Sequence, residues 1–328
     1  MDALKKILVA RLAPPEVLEK LKAHFDVDYH DGELPLTAEA LRGRLQGKAG
    51  AYITGTERIT PELLDACPAL RAICTMSVGY NHIDLAACTA RRVLVTNTPD
   101  VLTETTADLG FALLMATARR MGEGERLLRD GGWKSWRWDF LAGAEVHGTT
   151  LGILGMGRIG QAIARRGRFG FGMQVAYHNR SRLPAEAEGE LGARYLSKEA
   201  LLREADHLVL VLPYSAESHH CIAAAELALM KPTATLVNIA RGGIVDEHAL
   251  AAALRERRIA AAGLDVFEGE PQVNPELLAL PNAVLTPHIG SATMPTRIAM
   301  ATLAADNLIA ALTGAPPPTP LNPEILPL

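Results

Sequence analysis

Four polar residues, Arg241, Asp265, Glu270 and His288, stand where chemistry is expected. Each follows an apolar run by a few residues: Thr235 to Ile239, Ala260 to Leu264, and Ala283 to Leu285. Such short runs read as buried strands, and polar side chains just past parallel strands share the crevice at the carboxyl edge of a sheet. A guanidinium there binds a carboxylate as a two-pronged fork. A histidine can give a proton to a carbonyl oxygen that is becoming an alcohol. A glutamate beside it orients the ring and favours its protonated form. With a nicotinamide in place, this set fits reduction of a 2-keto acid to a 2-hydroxy acid. His288 alone reads equally well as a structural histidine, and only the company of Arg241 and Glu270 favours catalysis.

The nicotinamide is expected from a second pattern. An apolar run, Leu151, Ile153 and Leu154, is followed by Gly155, Gly157 and Gly160 and then by the helical pattern Gln161 to Arg166. A dinucleotide turn needs this order: glycine for the tight turn, glycine for close approach of a pyrophosphate, and glycine for helix–strand packing. The helix start then offers free N–H groups to phosphate. Glycine clusters also make ordinary turns, so the flanking strand and helix carry the reading.

The cofactor type follows from the end of the next strand, about 20 residues on, where NAD-type folds place a carboxylate on the ribose 2′-OH. The stretch Tyr177, His178, Asn179, Arg180, Ser181, Arg182 has no carboxylate and two arginines. An arginine pairs with a 2′-phosphate. NADPH is therefore expected over NADH, with NADH still usable; ordinary surface arginines are the alternative.

The elements that position these residues alternate. Strands are expected at Lys6–Ala10, Val27–Tyr29, Ala51–Thr54, Arg71–Thr75 and Val93–Thr96, with helices from Pro14, Thr37 and Thr60. After the glycine turn, strands are expected at Met173–Tyr177 and His207–Leu212, ahead of the three runs named above. This is an α/β chain with two doubly wound parallel sheets. Between two N-terminal strands, Ser77 to Asp84 reads as strand end, glycine turn and helix start, where the Val78 and Gly79 N–H groups could hold a carboxylate. Asn97 to Asp100 is a turn-rich hinge. Leu109 to Ala118 is too apolar for a surface helix, so burial between domains or against a partner is expected. Trp133, Trp136 and Trp138 share one loop, which suits an interface or lid as well as burial against its own chain. A final amphipathic helix spans about Pro295 to Leu312.

Composition narrows the class. The chain has 328 residues, 48% hydrophobic and 21% charged, with net charge −4. That length implies about two domains. The charge argues against nucleic acid as the main partner. Cys67, Cys74, Cys88 and Cys221 form no CxxC pair or metal spacing, so reduced core thiols and no metal are expected. The apolar run after Lys5 and Lys6 ends at Arg11, too short for a signal segment, and no run reaches the ~18–20 residues of a membrane span. A cytoplasmic protein is expected.

The motifs Asn238–Gly243, Gly263–Pro271 and Pro287–Thr293, together with Val78-Gly79 and Glu104–Asp108, resemble the signatures of the D-isomer-specific 2-hydroxyacid dehydrogenases. Gly132-Trp133, Trp136 and Tyr177–Arg182 are similar to the glyoxylate/hydroxypyruvate and 2-ketogluconate reductase branch. The resemblance implies a Rossmann domain at 99–290 inserted into a flavodoxin-like substrate domain at 1–98 and 291–328, and a homodimer. It implies Arg241, Glu270 and His288 as the catalytic set, and substrate contacts from Val78, Gly79, Arg241, His288 and Ser291. For the cofactor it implies Thr106, Gly155, Gly157, Arg158, Ile159, Gly160, Asn179, Arg180, Ser181, Arg182, Leu212, Pro213, Ala240, Arg241, Asp265, His288 and Gly290, with Asp265 helping on the nicotinamide side. Some relatives place a tryptophan of the partner subunit near substrate; by position Phe140 stands there, with Trp138 two residues before it. Tyr80, Asn81, Ser291 and Thr293 are polar, so glyoxylate, hydroxypyruvate and then 2-ketogluconate are the expected substrates. The alternatives are an NAD-linked dehydrogenase for another D-2-hydroxy acid, a dinucleotide-sensing binding protein, and a hydrolase on the same fold such as adenosylhomocysteinase.

Overall fold

The computed structural model describes residues 4–326. The chain divides into two compact units, Met1–Leu102 with Thr293–Leu328, and Thr103–Ala292. These boundaries lie a few residues beyond 98/99 and 290/291.

Unit 1 is a five-stranded parallel sheet: β1 Lys6–Val9, β2 Asp26–Tyr29, β3 Gly50–Ile53, β4 Ala72–Thr75 and β5 Leu94–Thr96, in spatial order β2-β1-β3-β4-β5. Strand alternation sends side chains to two cores. Leu8, Ala51, Ile53, Ile73 and Val95 face one; Ile7, Val9, Tyr52, Ala72 and Cys74 face the other, together with Ala301, Ala304, Ala305 and Leu308 of the C-terminal helix Met294–Thr313. That helix ends at Gly314, which has φ +89°. Helices α1 Pro15–Lys22, α2 Ala38–Leu45, α3 Pro61–Ala66 and α4 Leu85–Ala90 connect the strands, and Thr37, Thr60 and Asp84 cap the last three through side-chain oxygens.

Unit 2 opens with α5 Thr103–Ala118 and α6 Met121–Arg129. Its seven parallel strands are β6 Thr150–Leu154, β7 Gln174–His178, β8 Ala193–Tyr195, β9 His207–Leu210, β10 Thr235–Asn238, β11 Ala261–Leu264 and β12 Ala283–Leu285. Their order is β12-β11-β10-β9-β6-β7-β8, so the chain reverses direction across the sheet between β6 and β9. That switch point is where a doubly wound sheet binds its ligand. Helix α7 Arg158–Arg165 follows β6, and α8 Ala185–Leu191 lies between β7 and β8.

Three expectations change. The third strand of this sheet in chain order, β8, does not stand out in sequence: it has three residues, of which Arg194 is exposed. Helix α5 needs neither a domain interface nor a partner to cover most of its apolar run. Its Phe111, Leu113 and Leu114 belong to the unit's own core with Ile163, Val237 and Ile239, and only its Ala112 among Leu109–Ala118 is exposed. The tryptophans are not buried against their own chain: Trp133, Trp136 and Trp138 are 56%, 76% and 87% exposed. Among the described residues no helix is long and apolar enough to cross a membrane.

Candidate active site

The glycine turn closes β6 onto β9. Gly155 has φ +104°, and a Cβ there would lie 2.7 Å from the backbone of Val211 and Leu212. Leu212 and Pro213 thus run directly beside the turn. A Cβ on Gly160 would come within 2.4 Å of the Gly155 carbonyl oxygen, so the first turn of α7 packs on the strand end. Gly157 is the N-cap of α7, and nothing lies within 4 Å of where its Cβ would be. Arg158 and Ile159 begin the helix. The chain after β7 is tied to this turn: the Met156 N–H donates to Asn179 Oδ1 at 2.6 Å, and the Tyr195 hydroxyl donates to the Asn179 carbonyl at 3.0 Å.

The two arginines of this stretch differ. Arg180 is exposed and makes no salt bridge among the described residues. Arg182 donates from Nε and Nη2 to the two carboxylate oxygens of Glu188, at 2.8 and 2.7 Å. Ser181 is exposed. No carboxylate from Asn179 to Arg182 competes with a 2′-phosphate. The turn, the open space over Gly157 and the start of α7 fit the pyrophosphate of a dinucleotide.

Glu270 and His288 lie in loops after β11 and β12. His288 Nδ1 is 2.7 Å from Glu270 Oε2, and Glu270 Oε1 accepts from the Phe267 N–H at 2.8 Å. Burial pushes the Glu270 carboxyl up, but the hydrogen bond and charge of His288, the Phe267 N–H and the Arg241 charge outweigh it and hold Glu270 below the usual carboxylate range. Glu270 is therefore an anion beside His288 at neutral pH.

Arg241 reaches the same place through its turn. Asn238 ends β10; its Oδ1 accepts from the Ala240 N–H and its Nδ2 donates to the Arg241 carbonyl, each at 3.0 Å. A Cβ on Gly242 would lie 1.9 Å from the Phe267 carbonyl oxygen, so this turn runs against the backbone that leads to Glu270. Burial works against the Arg241 guanidinium's charge, and Glu270 partly offsets that. Among the described residues its one hydrogen bond is from Nη1 to the Ala240 carbonyl, at 2.6 Å. A half-buried guanidinium with donors left over can bind a carboxylate.

Asp265 is 1% exposed. Its Oδ1 accepts from the Thr286 hydroxyl at 2.7 Å and the Ile289 N–H at 2.8 Å, and its Oδ2 from the Gly290 N–H at 2.8 Å. Asp265 thus anchors the loop that carries His288, whose own φ is +51°. Burial raises the Asp265 pKa despite these donors. A Cβ on Gly290 would be 3.4 Å from Thr106 Cγ2, so Thr106 stands beside this loop; Ser291 follows it, half-buried. Sequence reading missed the contacts of Thr286 with Asp265 and of Glu188 with Tyr177, because these partners lie 21 and 11 residues apart in the chain.

In unit 1, Val78 and Gly79 lie in the turn after β4. Asn97 Nδ2 donates to the Val78 carbonyl and the Ser77 hydroxyl to the Gly79 carbonyl, each at 2.8 Å, while the Val78 and Gly79 N–H groups donate to nothing among the described residues. Elsewhere in unit 2, His219, His220 and Glu268 have metal-ligand types close together. The two rings stack 22° from parallel, so one ion could not lie in both ring planes.

A model of the family described as "D-isomer specific 2-hydroxyacid dehydrogenase, NAD binding domain" matches residues 111–290. The chain is 47% identical over 325 residues to a glyoxylate reductase of Thermococcus onnurineus, covering 98% of this chain and 97% of that protein. Two solved structures superpose closely. A glyoxylate reductase from Paecilomyes thermophila has 33% identity and TM-score 0.87, covering 99% and 100% of the two chains. An NADPH-dependent glyoxylate/hydroxypyruvate reductase from Sinorhizobium meliloti, in complex with NADP and malonate, has 36% identity and TM-score 0.85, covering 97% of each. The chain therefore belongs to the D-isomer-specific 2-hydroxyacid dehydrogenases, a family of NAD(P)-dependent oxidoreductases.

Proposed function

We propose that this protein reduces small, polar 2-keto acids, glyoxylate and hydroxypyruvate first and 2-ketogluconate after them, to the D-2-hydroxy acid with NADPH as preferred reductant. The observation that carries the reading is the 2.7 Å contact of His288 with Glu270 beside the half-buried Arg241. Arg241 takes the substrate carboxylate. The Val78 and Gly79 N–H groups offer the same chemistry, and Ser291 and the polar residues Tyr80, Asn81 and Thr293 suit substrate hydroxyls. A reduced nicotinamide held by the glycine turn of unit 2 would supply the hydride for C2. His288, held through Nδ1 by the Glu270 anion, gives its Nε2 proton to the carbonyl oxygen as that oxygen takes up charge. Glu270 stabilises the imidazolium before transfer and fixes the ring through Nδ1.

NADPH preference is supported by Arg180 and by the lack of a carboxylate from Asn179 to Arg182. Unit 2, which carries the glycine turn and Arg180, takes the cofactor. The protein is a homodimer that covers α6 and the tryptophan loop, because Met121, Leu128, Trp133, Trp136 and Trp138 are all exposed on the single chain. The test is nicotinamide absorbance with purified protein, NADPH or NADH, and glyoxylate. Turnover with NADPH supports an enzyme; tight dinucleotide binding with no turnover on any 2-keto acid supports a sensing protein instead.

A further inference from the structure

Resting on that NADPH reading, we propose that Glu188 sets the strength of the cofactor preference: it holds Arg182 as a neutral pair, so that Arg180 alone offers net positive charge to the 2′-phosphate. Both prongs of the Arg182 fork, Nε and Nη2, are on the Glu188 carboxylate at 2.8 and 2.7 Å. The pair is asymmetric. The Glu188 side chain is 10% exposed and that of Arg182 is 66% exposed. The anion is fixed and the cation comes to it.

The fixing runs through Tyr177, which is fully buried in β7. Its hydroxyl donates to Glu188 Oε1 at 2.7 Å and accepts from the Leu183 N–H at 2.8 Å. A chain of hydrogen bonds thus runs from the Leu183 backbone through Tyr177 to Glu188 and Arg182. It staples the arginine loop to α8. Hydrogen bonds from Arg182 and Tyr177 bring the Glu188 carboxyl down to about 2, so it is an anion at every working pH.

A 2′-phosphate approaching Arg182 meets the two N–H groups of Nη1 and the remaining one of Nη2, with a carboxylate directly behind them. Charge and countercharge cancel within a few ångströms. Arg180 has no such partner among the described residues; the Glu217 carboxylate lies within range of its charge. Glu188 thereby limits discrimination and keeps NADH usable.

The test uses 2′,5′-ADP and ADP as competitive inhibitors, which read the adenosine end without the chemistry. The wild type binds 2′,5′-ADP more tightly than ADP; equal binding would overturn the NADPH reading itself. In Glu188→Gln, which keeps an acceptor for Tyr177, 2′,5′-ADP should bind about three- to tenfold tighter while ADP is unchanged, with the gain shrinking in high salt. Adding Arg182→Met should remove the gain, because a double-mutant cycle isolates the coupled pair. Unchanged or weaker 2′,5′-ADP binding in Glu188→Gln, or a gain that survives Arg182→Met, overturns the inference. If Glu188→Gln does not fold, the single variants decide. Arg180→Met should weaken 2′,5′-ADP about tenfold or more and Arg182→Met less than about threefold, as expected for a free and a neutralised charge; equal losses would count against it.

Discussion

The Gly290 N–H donates to Asp265 Oδ2 at 2.8 Å, and this bond, with its neighbour from Ile289 to Oδ1, holds the loop that presents His288. His288 sits at φ +51°, a conformation that needs support from outside the residue. An asparagine at 265 has one acceptor oxygen and an NH2 that would face a backbone N–H. Asp265→Asn should therefore lower kcat about 10- to 100-fold through a misplaced acid, with a smaller change in the Kd for NADPH. Native kcat in steady-state assays would contradict this role.

Removing the acid itself should cost more. His288→Ala should lower kcat by about 10²–10⁴, while intrinsic fluorescence still reports NADPH binding. Near-native turnover would take His288 out of the mechanism.

Glu270 supplies charge as well as orientation, and its carboxyl lies below the usual range. In Glu270→Gln the imidazolium loses its anionic neighbour, so reduction needs more acid to keep the proton on His288. The fall in rate with rising pH should move to lower pH in the variant. An unchanged pH–rate profile would show that the 2.7 Å contact only orients the ring.

The Glu188 pair should also be visible in stability. Its folded pKa of about 2 lies below the ordinary 4.5, so its contribution is present above that ordinary value and is lost as pH falls toward 2. The gap in melting temperature between wild type and Glu188→Gln should be constant near neutrality and narrow as pH drops below 4.5. A gap that does not change with pH would mean the ion pair is not its source.

Much of this was legible in sequence, for a physical reason. Parallel strands buried on both faces are continuous apolar runs, so β6, β9, β10 and β11 stand out, and the residues after them are placed by topology alone. Arg241, Asp265 and Glu270 follow from that rule, and His288 follows the short apolar run of the edge strand β12. What the rule misses is pairing across the chain. Glu188 looks like one of several acids in Ala185–Leu191, and only the fold sets it between Tyr177 and Arg182. Thr286 looks like an ordinary strand-end residue until its hydroxyl meets Asp265. The strand β8 was missed because three residues, one an exposed arginine, carry too little period-2 signal.

The tryptophan loop tests the assembly. Sedimentation should give twice the chain mass of 35.1 kDa. Met121→Glu with Trp136→Glu should shift the protein toward 35.1 kDa, since two charges would have to be buried. A wild-type monomer would remove the dimer from the account.

The most direct test of the central claim is kcat/KM with NADPH and with NADH across glyoxylate, hydroxypyruvate, 2-ketogluconate, pyruvate and phenylpyruvate. A site built to hydrogen-bond a hydroxyl favours hydroxypyruvate over pyruvate, which lacks one, while glyoxylate has nothing beyond its aldehyde hydrogen to accommodate. The account predicts NADPH ahead of NADH, glyoxylate and hydroxypyruvate well ahead of the other acids, and phenylpyruvate last. Pyruvate or phenylpyruvate in first place, or NADH equal to NADPH, would contradict it.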